Sequence, residues 1–180
     1  NKMHKLIMCI YIIGKFYFDR HINSPIENFI IVIYMAYSGK FRPRNPKKYN
    51  GDYTKIVYRS SWEARCMNYF DQNDNILWWA SEEIIVPYRD PVSNKARRYF
   101  PDFIIKIKQR SGITETIMIE IKPQYQKDPP KKQSRKTKKY INEVYTYSVN
   151  QMKWRAAKNY CKDRKWKFMV LTENDLGIKS

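Results

Sequence analysis

From Phe100 to Pro123 the chain reads FPDFIIKIKQRSGITETIMIEIKP, with apolar and polar residues alternating on either side of a glycine. A period of two sends successive side chains to opposite faces of a strand, so this stretch predicts a hairpin with Gly112 in its turn. Phe103, Ile105 and Ile107 fall on one face of the first strand, and Asp102, Ile104, Lys106 and Lys108 on the other. On the second strand Ile117, Ile119 and Ile121 oppose Thr116, Met118, Glu120 and Lys122. Upstream, in SSWEARCMNYFDQN, the period changes. Trp62, Cys66, Met67 and Phe70 recur at helical spacing, which predicts a short helix over about residues 60–72. Ser60 or Ser61 can cap it, and Glu63 falls in the first turn, where the helix dipole favours an acid. In ILWWASEEIIVPYRD, the segment EEIIVPY reads as a strand of roughly six residues. From Thr137 to about Asp163, Ile141, Val144, Tyr145, Ser148, Met152, Ala156 and Tyr160 restore the helical period. KFMVLTE follows as a last strand, and NDLGIKS as a loose tail. The order is helix, three strands, helix, strand: an α/β chain whose helices would cover a mixed central sheet.

Two basic segments interrupt this pattern. Residues 38–56, SGKFRPRNPKKYNGDYTKI, carry Pro43, Pro46 and Gly51 and read as an extended arm. Lys40, Arg42, Arg44, Lys47 and Lys48 could lie along phosphates there, or belong to a solvated linker. Residues 127–139, KDPPKKQSRKTKK, hold seven basic residues and one acid, and Pro129 and Pro130 exclude helix locally. Lys131, Lys132, Arg135, Lys136, Lys138 and Lys139 are the DNA-contact candidates of this second segment. Residues 1–34 differ from the rest. LIMCIYIIGKFYF and FIIVIYMA are apolar but each is too short to span a bilayer, and no small-residue cleavage site follows. Met35 opens MAYSGKFRPRNP like a natural start. The expectation is an atypical extension over 1–34 ahead of a single domain over 35–180, with a hydrophobic docking arm as the rival reading. No membrane partner is expected.

Charge narrows the partner. The 180 residues include 35 Lys and Arg against 17 Asp and Glu, a formal charge of +18, which points to a polyanion. Cys9, Cys66 and Cys161 are odd in number and far apart, so neither a disulfide framework nor a metal knuckle is expected. Cys66 and Cys161 lie in helical patterns and read as packed thiols. Both histidines, His4 and His21, precede residue 35. A domain over 35–180 therefore has no histidine for a Ser-His-Asp or Cys-His centre, or for HExxH zinc chemistry. Carboxylates, lysine, hydroxyls and a hard metal ion remain.

The hairpin supplies such a set. A turn centred near Ser111 places Asp102 across from Glu120 on one face, with Lys122 two residues further along that face. Opposed carboxylates repel. Hard oxygens from two acids suit Mg²⁺ or Mn²⁺, which would remove that repulsion. A neighbouring lysine can orient a water or stabilise charge developing on a phosphate. Taken singly, each residue is an ordinary surface charge, and a PD…ExK fragment is short enough to arise by chance.

Pro101-Asp102 with Glu120-Ile121-Lys122 resembles the PD-(D/E)xK nuclease motif. RSSWE, RYFPDF, IEIKP and NQMKWRAAKNYCKDRKWKFMVLTENDLG are similar, more narrowly, to the head-completion nucleases of T4-like tailed phages. That family is related to the endonuclease subunit of a heteromeric transposase. The similarity runs from about Met35 to the C-terminus. It implies a restriction-endonuclease-like core and a Mg²⁺- or Mn²⁺-dependent DNA endonuclease acting in head completion after packaging. It further implies that Asp102 and Glu120 hold the metal, and that Lys122 positions water and the scissile phosphate. Glu63 would be a further metal ligand or hold an outer-shell water, against the alternative of a plain helix-start acid. The Ile121 carbonyl would also ligate, and Gln151 is a weaker cleft candidate. Double-stranded DNA is the implied partner, with phage portal or neck proteins as candidate neighbours and no small-molecule cofactor. The implied location is the infected host cytoplasm, with the virion as a second candidate. A non-catalytic DNA clamp or plug on the same fold is the alternative. An RNA-binding role ranks low, because no RNA-reading aromatic sheet motif is present.

Overall fold

The computed structural model describes residues 38–178. The apolar segments of residues 1–34, with Cys9, His4 and His21, lie outside them. Strands β1 (Gly39–Lys40) and β2 (Val57–Tyr58) pair antiparallel, with a 3₁₀ turn at Pro46–Lys48 between them. Helix α1 (Ser61–Gln72) follows, then β3 (Ile76–Ser81), a ribbon of β4 (Val86–Arg89) and β5 (Ala96–Tyr99), and the hairpin β6 (Phe103–Lys108) and β7 (Thr114–Ile121). Helices α2 (Gln124–Lys127) and α3 (Lys138–Asp163) lead to β8 (Lys167–Leu171). The central sheet runs β3-β6-β7-β8, antiparallel except for the parallel pair β7–β8. A parallel pair requires a crossover, and α3 provides it. This is the expected α/β architecture, with a mixed sheet and helices on both faces.

Alternation along β6 and β7 separates two cores. Phe103, Ile105, Ile117, Ile119 and Ile121 share one cluster with Trp79 of β3 and with Cys66, Met67 and Phe70 of α1. Met118 points the other way, to Ala157 and Cys161 of α3 and to Val86, Tyr88 and Tyr99 of the ribbon. Cys66 and Cys161 are buried free thiols, as expected. Burial pushes them up to about 12 and about 11, so neither is a ready nucleophile at neutral pH.

Four expectations need correction. Of the strand expected at EEIIVPY only VPY forms one, in β4, and the central sheet instead takes the preceding run, Ile76–Ser81. Trp79 fixes it there, fully buried with its ring against Phe41, Tyr49 and Phe70. Beyond Ser81↔Phe103 a single bond continues toward β6, from the Glu82 N–H to the Asp102 carbonyl at 3.3 Å. The chain then turns at Glu82, with φ 54°, and restarts as β4 at Val86. The ribbon partner β5 is a strand that the alternation reading did not predict.

Residues 38–56 form a strap packed on the body, with Phe41, Tyr49 and Ile56 buried in the α1-side core. The buried carboxylate of Asp71 accepts the N–H groups of Arg44 at 2.8 Å and Asn45 at 3.1 Å. Finally, Ile141, Val144 and Tyr145 do not reach the core. At about 1.5 Å per residue the 26-residue α3 is ~39 Å long, whereas the eight residues of β7 span ~26 Å at about 3.3 Å each. The helix therefore outruns the sheet, and its buried residues begin only at Asn150. Among the described residues no helix is long and apolar enough to cross a membrane.

Candidate active site

The β6–β7 register pairs Phe103 with Ile119 and Ile104 with Met118, as a turn near Ser111 requires. Continued by one step it brings Asp102 opposite Glu120. Asp102 Oδ2 accepts the Ile121 N–H at 2.6 Å, which ties the first carboxylate to the end of β7. Glu120 is buried, and both its oxygens are held. Oε1 meets Lys122 Nζ at 2.9 Å, and Oε2 accepts the Tyr99 hydroxyl at 2.6 Å. The Lys122 N–H donates to the Leu171 carbonyl at 2.9 Å, which fixes this strand end to β8.

The electrostatics follow from two acids and one cation out of bulk water. Burial pushes the Asp102 carboxyl well above the usual carboxylate range, and the Glu120 charge adds to the shift. Lys122 and the Ile121 N–H pull the other way without cancelling it. Burial also disfavours the Lys122 ammonium, but Glu120, Asp102 and Glu63 outweigh it, so Lys122 is held above the ordinary lysine value and remains a cation. Burial and the Glu120 charge raise Tyr99, which keeps its proton and its donor role.

Glu63 enters from α1. Its N–H donates to Ser60 Oγ at 3.2 Å, and its carboxylate accepts from Ser60 Oγ at 3.0 Å and from the Arg59 N–H at 2.8 Å. These bonds cap the start of α1, the helix-start role weighed above. Glu63 nevertheless lines one cavity of about 200 Å³ with Lys122, Ile121 and Gln126. The structure thus bonds Lys122 to Glu120, holds Asp102 across from Glu120 on the Ile121 N–H, and sets Glu63 on the adjoining wall. Gln151 is half-buried on α3 and does not line this cavity. Lys40, Arg42, Arg44 and Lys47 are exposed on the strap, and Lys131, Lys132, Arg135, Lys136, Lys138 and Lys139 on the segment leading into α3. Lys48 is engaged internally, donating to the carbonyls of Asp71 at 3.0 Å and Asn73 at 2.7 Å.

Among the described residues no three acidic, histidine or cysteine side chains form a ready-made metal cluster. The pair still suits a hard divalent ion: its side-chain donors are all oxygen, and two facing carboxylates, Glu120 buried and Asp102 half-buried, have one ammonium beside them, with burial first and the Glu120 charge second raising Asp102.

Tyr99 is the member that the sequence reading missed. ARRYFPDF alternates weakly, and only a strand assignment for ARRY would have placed Tyr99 inward. Because its hydroxyl orients a candidate metal-holding carboxylate, Tyr99→Phe is expected to lower kcat/KM for cleavage by about 10–100-fold with the fold intact. Steady-state kinetics and circular dichroism check this; unchanged kinetics would deny Tyr99 the role.

Residues 73–173 match the family model described as TnsA-like endonuclease N terminal. The chain is also 44% identical over 146 residues to the Head completion nuclease of Enterobacteria phage T4, covering 79% of this chain and 95% of that relative.

Proposed function

Since the chain belongs to the TnsA-like endonuclease family, we propose that it is a metal-dependent DNA endonuclease that acts in phage head completion after packaging. The observation that carries the reading is the facing of half-buried Asp102 and buried Glu120 at the end of β7, with Lys122 bonded to Glu120 at 2.9 Å. Asp102, Glu120 and the Ile121 carbonyl would hold Mg²⁺ or Mn²⁺. Bound there, the ion supplies positive charge to the phosphate and acidity to a water.

The chain's own residues do the rest. Lys122 has three donors, of which Glu120 uses one, so the others can face a phosphate oxygen or the attacking water. Tyr99 keeps Glu120 from rotating, and the Ile121 N–H does the same for Asp102. Glu63 can bind an outer-shell water through the shared cavity, at the expense of its capping bonds. In hydrolysis a water oxygen forms a bond to phosphorus as the P–O3′ bond breaks and the leaving oxygen gains a proton. Lys and Arg on the strap and on residues 131–139 would hold phosphates with little sequence reading.

Incubating the full chain with supercoiled and linear duplex DNA, with Mg²⁺ or with EDTA, tests the proposal. Nicking and linearisation are expected with Mg²⁺ alone. Binding without cleavage under every metal condition would favour the clamp or plug reading.

A further inference from the structure

The β4–β5 ribbon is used neither by the carboxylate site, apart from Tyr99, nor by the two basic segments. From Val86 to Tyr99 it carries Arg89, Lys95, Arg97 and Arg98 against a single acid, Asp90. That acid is consumed inside the fold. Asp90 is 3% exposed, and its Oδ1 accepts the N–H groups of Val92 at 3.0 Å and Ser93 at 2.9 Å. Its Oδ2 meets Arg97 Nε at 3.1 Å and the Tyr145 hydroxyl at 3.2 Å. The charge of Arg97 is thereby neutralised, and the ribbon tip is fastened to the part of α3 that projects beyond the sheet. Arg89, Lys95 and Arg98 stay exposed, with no carboxylate in salt-bridge reach among the described residues.

The register sorts the two faces. Val86 pairs with Tyr99, Pro87 with Arg98, and Arg89 with Ala96. Alternation therefore puts Tyr88 and Tyr99 inward, and Arg89 and Arg98 outward as diagonal neighbours roughly 7–8 Å apart. The Arg89 guanidinium is braced by a 3.2 Å bond from Nη1 to the Asn94 carbonyl, which leaves its other nitrogens open. Behind this charged face, Tyr99 is bonded to Glu120 at 2.6 Å. The cations are thus held in fixed register with the carboxylate pair by a two-stranded element whose own acid is already satisfied.

A stiff, uniformly positive face beside a carboxylate site fits the phosphates of a duplex, and the guanidinium fork matches phosphate oxygens. We propose that Arg89 and Arg98, with Lys95, grip the DNA backbone beside the scissile phosphate, and that the Asp90–Tyr145 bond holds the ribbon for this contact. The proposal rests on the endonuclease reading and adds to it a DNA-contact element that the two basic segments do not contain.

The test measures duplex binding by the full chain in EDTA, by fluorescence anisotropy across a salt series, for wild type and for the double variant Arg89→Gln/Arg98→Gln. Each lost phosphate contact removes about 0.9 from the slope of log affinity against log salt, so the double variant should lose about 1.8. In Mg²⁺ its KM for cleavage should rise more than its kcat falls. Lys95→Gln should lose up to about 0.9 of slope by the same rule. An unchanged slope and KM in the double variant would overturn the proposal, as would a loss confined to kcat. Wild type that binds but never cleaves would sink the endonuclease reading and leave the slope comparison intact, because binding in EDTA needs no chemistry.

Discussion

Asp102→Asn and Glu120→Gln are each expected to reduce DNA cleavage on the order of 10³-fold. Under the proposed mechanism, removing a carboxylate that holds the metal would forfeit several kcal/mol of transition-state charge stabilisation, and each 1.36 kcal/mol is about tenfold in rate. The two variants should differ in stability, which separates lost chemistry from lost folding. Asparagine keeps an acceptor for the Ile121 N–H and removes the charge whose burial, with the Glu120 repulsion added, raises Asp102. A carboxyl raised in the folded state contributes stability that is full below its unfolded value, about 3.9, and is lost as pH rises through the folded value. Asp102→Asn should therefore be more thermostable than wild type at neutral and alkaline pH, and inactive there. Glu120→Gln strands Lys122 without its 2.9 Å partner and should not gain in the same way. Near-wild-type turnover in Asp102→Asn would remove that carboxylate from the mechanism.

Lys122→Met is the second large effect, and it is foremost a stability effect. Removing one partner of a largely buried ion pair costs about 3 kcal/mol or more, because the remaining charge stays out of water. In a protein of this size that is roughly 6–12 °C in Tm. The sign of the pH dependence follows from Asp102. Without the ammonium, the two carboxylates face each other uncompensated and the Asp102 carboxyl rises further. The deficit should then be largest at alkaline pH and shrink as the pH falls and the carboxyl takes up a proton. Mg²⁺ should restore part of the lost Tm, since a bound cation replaces the missing charge and binds only the folded site. Thermal melts across pH, with and without Mg²⁺, measure both effects. A deficit independent of pH would place the role of Lys122 in packing instead of charge compensation.

Much of the site was legible because it sits on a period of two. Once the turn was centred near Ser111, facing of Asp102 and Glu120 followed from counting, and the ladder Phe103↔Ile119 obeys that count. Glu63 was half legible: a serine cap with an acid in the first turn announces a helix start, and the structure forms it with Ser60 as the cap. That the same carboxylate borders the Lys122 cavity depends on how α1 packs against the end of β7. The strap was misread because prolines and basic residues masked Phe41, Tyr49 and Ile56, whose spacing matches no single period. They are held by Trp79 and by Asp71, both distant in sequence.

By itself, then, the sequence determined the two periods, the helix starts, the hairpin register and a polyanion-binding charge, all of which depend on neighbours within a few residues. Tertiary structure alone decided which apolar run became the edge strand beside β6, that ARRY folds back on VPYR, and that Tyr99 reaches Glu120 across 21 residues. Those outcomes turn on which buried surface excludes water best and which buried polar group finds a partner, and both depend on residues that only the folded chain brings together.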